Sequence, residues 1–117
     1  MSLHKRAAFR AFVLGLPAVT VAEQWGSMVA KVGGKVFALN ADTGGDLVFK
    51  VSETSFLGLT SLRGISQAPY FAKGQWVIVA KGSELSTADL KAYVRESHRV
   101  IAAKLTRKTR AELGLPV

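Results

Sequence analysis

The Gly-Gly pair at residues 33 and 34 is the feature that most constrains the fold of this chain. It separates two mostly apolar runs, Ser27 to Val32 and Lys35 to Ala41. Glycine adopts the positive φ angles of primed two-residue turns without steric cost, so this pattern predicts a tight β-hairpin. A hairpin of this kind requires an antiparallel sheet in this part of the chain.

Further apolar runs extend this sheet. Thr20 to Trp25 precedes the hairpin, and Leu47 to Val51 follows it after a predicted turn at Asp42 to Asp46. We expect these runs and the hairpin to form a meander of four antiparallel strands. A fifth strand is predicted at Gln75 to Ala80, where four large apolar residues follow one another as in a buried strand. Residues 65–74 are predicted to be a loop, because Pro69 favours an extended turn.

Helices are predicted on both sides of the strand-rich region. The first covers residues 3–15 with Ser2 as its N-cap, and the second has Ser52 as its N-cap and runs to about Leu62. The last runs from a cap at Ser86 or Thr87 to about Leu105, and a turn or short helix follows at residues 107–113. The order α-β-β-β-β-α-β-α predicts a single α+β domain over residues 1–117. Its antiparallel sheet of about five strands has helices packed on it.

The charge is distributed unevenly along the chain. The 16 Lys and Arg residues and 8 Asp and Glu residues give a net charge of +8 at pH 7. Residues 11–90 contain equal numbers of bases and acids, whereas residues 91–110 contain seven bases and one acid. The excess therefore lies at the two ends of the sequence, which favours a polyanionic partner.

The basic residues form a candidate surface for nucleic acid, because Lys and Arg neutralise phosphates. On the last helix, the helical spacing places Lys91, Arg95 and Arg99 on the side opposite the buried stripe. The alternative is that this row is only the solvated face of an amphipathic helix. The buried stripe of that helix is predicted to contain Leu90, Val94, Ile101 and Leu105. The predicted phosphate contacts are Arg6, Arg10, Lys31, Lys35, Lys91, Arg95, Arg99, Arg107, Lys108 and Arg110.

The mode of DNA binding also follows from the sequence. Lys31 and Lys35 flank the Gly-Gly tip, as a wing that probes a groove would require. The sequence contains no helix-turn-helix or zinc-finger pattern, so recognition of bases is not expected. Duplex DNA bound through its phosphate backbone is therefore the predicted partner.

Three large aromatic residues form a second candidate site. Trp25, Tyr70 and Trp76 could line a ligand pocket, with Lys73 as its polar group. We expect instead that the three rings fill the core between sheet and helices, because large aromatic side chains dominate core burial. The pocket is kept as the alternative, in which the chain is a small-ligand or protein-interaction module.

The sequence contains few residues of the types that usually serve in catalysis or metal binding. The chain has no cysteine, and its two histidines, His4 and His98, have no catalytic partner at a recognisable spacing. We therefore expect a non-enzymatic protein without a metal site or cofactor. No apolar run approaches the ~20 residues that span a bilayer. Arg10 and Pro17 interrupt the early apolar stretch and argue against a signal peptide, so a cytoplasmic location is expected.

An ordered set of short motifs resembles one family. The motifs are Trp25-Gly26, Lys31 to Ala38, Lys50 to Ser52, Ala68 to Tyr70, Lys73 to Val77, and Glu84 to Ser86. Together they resemble the MmcQ/YjbR-like family of small bacterial proteins. The resemblance implies an α+β fold similar to the frataxin/CyaY-like group, and DNA binding in which hairpins of the sheet act as wings. Iron binding of the frataxin kind is not expected, because residues 3–15 carry bases and no carboxylate.

Overall fold

An antiparallel sheet with helices on one face dominates the computed structural model of the chain, which describes residues 2–41 and 45–116. The strands are β1 (Val19–Gln24), β2 (Ser27–Val32), β3 (Lys35–Asn40), β4 (Leu47–Lys50), β5 (Ile65–Gln67) and β6 (Trp76–Val79). The helices are α1 (Arg6–Leu14), α2 (Glu53–Thr60), α3 (Thr87–Ala103) and α4 (Arg107–Glu112). The spatial order of the strands is β1-β2-β3-β4-β6-β5, and every neighbouring pair is antiparallel.

The predicted four-strand meander is confirmed. Gly33 and Gly34 join β2 to β3 with φ angles of +58° and +78°, as the hairpin requires. Residues 25 and 26 join β1 to β2 in a second two-residue turn. β4 then pairs with β3 on one side and with β6 on the other. Residues 42–44 of the predicted turn before β4 lie outside the described residues.

The sheet has six strands in the described part of the chain, one more than predicted. Residues 65–67 form β5, which pairs with β6 from Ile65 opposite Val79 to Gln67 opposite Val77. The loop prediction is therefore wrong for these three residues. A strand this short leaves no alternating pattern in the sequence, and its formation depends on pairing with the longer apolar strand β6.

α1 begins three residues later than predicted, and Ser2 is not its N-cap. Lys5 holds that position without a capping side chain, while Ser2 Oγ accepts a hydrogen bond from the His4 amide at 3.2 Å. Residues 2–5 are instead fixed by Asn40 at the end of β3. Its Nδ2 donates to the carbonyl oxygens of Leu3 and His4, each at 3.0 Å. Residues 3–5, which the sequence predicted to be helical, thus lie outside α1, and the buried side-chain amide of Asn40 holds two of them.

The other predicted caps are confirmed. Ser52 Oγ accepts from the Ser55 amide and Ser86 Oγ from the Asp89 amide, both at 3.1 Å. α3 ends at Ala103 rather than near Leu105. The segment that follows is a separate short helix, α4, which is capped by Thr106.

The main core lies between the sheet and the helices. α1 packs on β1 and β2, α3 on β2, β3 and β4, and α2 on β5 and β6. Phe9, Phe37 and Phe49 are fully buried in this layer. The predicted stripe of Leu90, Val94, Ile101 and Leu105 is confirmed, because all four are buried in the same core. Within residues 2–41 and 45–116, no helix combines the length and apolar character needed to cross a membrane.

The opposite face of the sheet is only partly covered. A smaller cluster of Val48, Ala68 and Trp76 lies there, and Phe71 packs against it. Elsewhere on this face Val29 is buried, and Val36, Leu39 and Ile78 are half-buried. The two faces therefore offer different kinds of site, one between helices and one on the sheet face that the helices do not cover.

Candidate functional site

The first basic residues of α3 lie beside α1. Lys91 Nζ is 5.6 Å and Arg95 Cζ is 5.3 Å from the centre of the Phe12 ring, which is within cation–π range. The prediction that the whole row lies opposite the core is therefore wrong for Lys91, which is half-buried on the flank of α3. The aliphatic stems of these long side chains can cover the apolar ring while their charges stay near water.

Arg99 lies further round α3 and is exposed. Its Nε donates to both carboxylate oxygens of Glu96, at 3.1 and 2.9 Å, and its Nη2 also donates to Oε1. The hydrogen bond from Arg99 holds the pKa of the Glu96 carboxyl below its ordinary value. This surface pair contributes little to stability, but it compensates the charge of Arg99.

Arg95, Arg99 and Arg110 come together around one pocket, although Arg110 lies on a different helix. The pocket, called the arginine pocket below, has a volume of about 390 Å³. It lies where the end of α1 meets α3 and α4. Its remaining walls are Leu16, Pro17, His98, Ala102, Ala103, Leu115 and Pro116.

His98 fixes one wall of the arginine pocket. The side chain is buried, and its Nε2 lies 2.8 Å from the carbonyl oxygen of Pro17. A carbonyl oxygen only accepts, so Nε2 carries the proton and donates. The ring also meets Phe37 edge-on, with centroids 5.3 Å apart. The hydrogen bond links Pro17, which follows α1, to α3. His98 therefore has a structural role in packing these two segments together.

The β2–β3 hairpin meets the segment between α3 and α4. A Cβ atom placed on Gly33 would lie only 2.6 Å from Leu105 Cδ1, so the hairpin tip packs on this segment. Bases of both segments therefore share one end of the molecule, called the basic end below. Its residues are Lys31, Lys35, Lys104, Arg107 and Lys108.

The exposure of these bases differs. Lys35, Lys104, Arg107 and Lys108 are exposed, and Lys31 is half-buried. Lys104 is absent from the predicted contacts, although it belongs to the basic stretch at residues 91–110. That stretch is the signal that could have identified it.

Arg6 is placed at the other end of β2. It donates through Nη2 to the carbonyl oxygen of Gly26, and its Nη1 lies 3.7 Å from Glu23 Oε1. A strand of six residues spans roughly 17 Å, so Arg6 is not part of the basic end. Arg10 is exposed on α1. The structure thus separates Arg6 from the basic end.

The expectation that the three aromatic residues fill the core between sheet and helices is wrong for all of them, because Trp76 is buried on the opposite face of the sheet and the other two are exposed. Trp76 is buried, and its ring centroid lies 4.5 Å from that of Phe71. Trp25 is 92% exposed and Tyr70 is fully exposed. Trp25 lies in the tight β1–β2 turn and Tyr70 in the loop after β5, and neither belongs to the core between sheet and helices. Lys73 is exposed and does not line a pocket with them.

Trp25 and Tyr70 border a groove on the sheet face opposite the helices, called the sheet-face groove below. Its volume is about 710 Å³. The other described residues that line it are all uncharged: Ser27, Val29, Val36, Leu39, Ala41, Val48, Pro69, Phe71 and Ile78. Trp25 and Tyr70 both have positive φ angles, of 53° and 68°. This conformation costs a residue with a side chain roughly 1–2 kcal/mol and is concentrated at functional positions.

Lys50 is a buried charge that the sequence did not single out. It is 6% exposed, and its Nζ donates to Gln75 Oε1 at 2.6 Å. Burial lowers the pKa of Lys50, the charge of Lys104 lowers it further, and Glu53 opposes both. Across residues 2–41 and 45–116, no cluster of three or more His, Asp or Glu side chains could hold a metal ion.

Comparison with solved structures supports the fold. The crystal structure of the Deinococcus radiodurans protein DR2400, described as a DUF419 domain, superposes with a TM-score of 0.86 at 24% identity. That match covers 96% of this chain and 89% of DR2400. A Pseudomonas syringae protein superposes with a TM-score of 0.69 at 18% identity, over 82% of this chain and 97% of its own.

The sequence comparisons identify the family and give no activity. No curated protein matches the chain significantly. The sequence model of the YjbR family matches residues 14–100, which include the sheet and most of α3. The chain therefore belongs to the YjbR family, as the resemblance of its motifs indicated.

Proposed function

We propose that this protein is a non-enzymatic, cytoplasmic DNA-binding protein that holds duplex DNA by its phosphate backbone through the basic end. The observation that carries the proposal is the contact between Gly33 and Leu105. It brings the lysines that flank the hairpin tip next to the bases of α4 and Lys104. Residues that are about 70 positions apart in the sequence thereby contribute to one positive surface.

The chemistry of the basic end fits phosphates better than bases. Its exposed groups are lysine and arginine side chains on a hairpin and a short helix, and Lys and Arg release counterions when they neutralise phosphates. Contacts of this kind position a protein on the duplex without reading its sequence. Binding is therefore expected to depend steeply on salt and only weakly on DNA sequence.

Fluorescence anisotropy of a labelled 20-base-pair duplex tests the proposal. The full chain is titrated at several salt concentrations between about 50 and 200 mM. We expect binding at micromolar protein in low salt, with log K falling linearly as log salt rises. Two unrelated duplex sequences should give the same slope. Anisotropy that stays unchanged at micromolar protein in low salt would contradict the proposal.

A second candidate function is supported by the sheet-face groove. Trp25 and Tyr70 are exposed at its rim in a backbone conformation that disfavours bulky side chains, so stability alone does not account for them. A volume of about 710 Å³ suits a drug-sized ligand. Because the described lining residues carry no charge, the ligand of this alternative is a neutral, largely aromatic small molecule.

Tryptophan fluorescence tests the second candidate. The chain has two tryptophans, and Trp76→Phe leaves Trp25 as the reporter at the groove. In a screen of neutral aromatic compounds, binding should shift or quench the emission of Trp25 at micromolar concentrations. Leu39→Lys, which places a charge in the groove, should abolish the response. An emission spectrum that no compound changes would refute this candidate and leave the DNA proposal unaffected.

A further inference from the structure

The sheet-face groove has an exposed aromatic residue on each of two sides. Trp25 follows β1 and Tyr70 follows β5, and these are the two edge strands of the sheet. Both side chains are almost entirely exposed, and both line the groove. Both residues also have positive φ angles, which Gly or Asn adopts at less cost. The stability of the fold therefore does not account for the two rings.

The floor of the groove lies between these two rings. A row of cross-strand neighbours crosses it from β2 to β6, namely Val29, Leu39, Val48 and Ile78. Adjacent strands lie about 4.8 Å apart, so this row is roughly 14 Å wide. Trp25 and Tyr70 make no ring contact with each other, so each offers a separate stacking surface. Rings stack with centroids about 4.5–7 Å apart, so a ligand that stacks on both across this width carries at least two aromatic groups.

One end of the groove lies next to the basic end. Val36 lines the groove, and its cross-strand partner on β2 is Lys31. Residues directly opposite each other in an antiparallel pair point to the same face, so Lys31 lies on the groove face of the sheet. Among the described residues, no carboxylate pairs with Lys31. A positive group thus lies beside a groove whose described lining residues carry no charge.

We propose that the sheet-face groove binds unpaired bases of single-stranded DNA, while Lys31 holds a phosphate of the same strand. A base is a neutral aromatic group that suits the uncharged groove, and a strand supplies successive bases on a charged backbone. In a duplex the bases are paired and stacked on one another, so they do not reach Trp25 and Tyr70. The inference rests on the proposed function for its phosphate contact, and it adds a surface that duplex DNA does not use.

Fluorescence anisotropy of a labelled oligo(dT) of about 12 nucleotides tests the proposal. We expect the full chain to bind it at micromolar protein in low salt. Trp25→Ala should weaken this binding at least about fivefold, because stacking of one base on an aromatic ring contributes that much or more. Trp25→Phe keeps an aromatic face and should retain most of the affinity. No binding of oligo(dT) at micromolar protein would overturn the proposal.

Leu57→Ala is the matched control, because Leu57 is an exposed apolar residue on α2 and does not line the groove. It should change oligo(dT) binding less than about twofold, as expected for a surface substitution. Equal losses in Leu57→Ala and Trp25→Ala would mean that the bases do not lie in the groove.

Intrinsic fluorescence reports the stacking directly. In Trp76→Phe the remaining tryptophan is Trp25, and unlabelled oligo(dT) should quench its emission. Emission that stays unchanged when anisotropy shows the strand to be bound would contradict stacking on Trp25.

A blunt duplex measured in parallel separates this inference from the proposed function. Trp25→Ala should keep its affinity for the duplex, because the basic end is unchanged. If the natural chain binds the duplex and not oligo(dT), the inference is wrong and the proposed function stands. If it binds oligo(dT) through Trp25 and not the duplex, the basic end holds single strands only, and the proposed function fails while the inference stands.

Sedimentation velocity tests the other occupant of an apolar groove, a second copy of the chain. We expect the natural chain and Trp25→Ala to sediment alike. If Trp25→Ala converts a dimer into a monomer and leaves oligo(dT) binding unchanged, a second copy covers the groove and the inference is wrong.

Discussion

Gly33 and Leu105 approach each other so closely that a Cβ atom on residue 33 would lie 2.6 Å from Leu105 Cδ1 and 2.8 Å from Cδ2. Leu105 is itself buried in the main core. The contact joins the tip of the β2–β3 hairpin to the segment between α3 and α4. The relative position of the bases on the hairpin and those near α4 therefore depends on this contact.

Replacing Gly33 by Ala should destabilise the protein more than replacing Gly34 by Ala. Both residues have positive φ angles, so both variants incur a strain of roughly 1 kcal/mol. Only residue 33 also meets Leu105, since nothing lies within 4 Å of a Cβ on Gly34. Overpacking at residue 33 should cost a further 1–3 kcal/mol or so. Urea unfolding measures the difference, and equal losses would mean that the contact with Leu105 is not maintained.

Replacing Asn40 by Ala should lower the free energy of unfolding by about 2–3 kcal/mol. The variant loses two hydrogen bonds and leaves the carbonyl oxygens of Leu3 and His4 without their donor in a buried setting. Chemical denaturation gives the value. Gln24→Ala, at a half-buried strand position, serves as the control and should stay within about 0.5 kcal/mol of the natural chain. A comparable loss in both variants would argue against the Asn40 bridge.

Replacing Trp25 by Asn should stabilise the protein by roughly 0.5–1 kcal/mol. Trp25 and Gly26 both have positive φ, as in a type I′ turn, and Asn-Gly is the preferred pair for that turn. Trp25→Leu retains an unfavourable backbone and should give no gain. Thermal unfolding distinguishes the two variants. A lower melting temperature for Trp25→Asn would show that the indole stabilises the fold, and the functional argument for this residue would then fail.

The depressed pKa of Lys50 predicts a specific pH dependence. In the unfolded chain Lys50 titrates near its ordinary value of ~10.4, whereas burial disfavours its charged form in the folded state. Between the folded and unfolded pKa values the unfolded state binds more protons, so stability increases with pH in that window. The natural chain should therefore gain stability relative to Lys50→Met as the pH rises towards the ordinary pKa of lysine. Urea unfolding at several pH values tests this, and a constant difference would contradict it.

Much of the fold could be predicted from local sequence patterns. The Gly33-Gly34 turn requires positive φ, the caps at Ser52 and Ser86 satisfy free amides, and the spacing from Leu90 to Leu105 defines a buried face. Each of these depends on residues close in sequence. Strand β5 was missed because its three residues form a strand only by pairing with β6.

The sites were less predictable because they depend on tertiary contacts. The arginine pocket forms only when α4 folds back beside α3, which places Arg110 near Arg95 although they are 15 positions apart. The exposure of Trp25 and Tyr70 opposes the general tendency of aromatic side chains to be buried. The packing of Gly33 against Leu105 also cannot be predicted from local sequence patterns, because the two residues are far apart in the sequence. This contact defines the basic end.

The salt dependence of duplex binding in two triple variants tests the central claim most directly. One variant replaces Lys35, Arg107 and Lys108 of the basic end by Ala, and the other replaces Arg63, Lys73 and Lys81. All six residues are exposed, and each variant removes three positive charges. We predict that the slope of log K against log salt decreases by about 2–3 for the basic-end variant, since each phosphate contact contributes about 0.9. The slope should change little for the other variant, and equal decreases in the two would contradict a DNA-binding surface at the basic end.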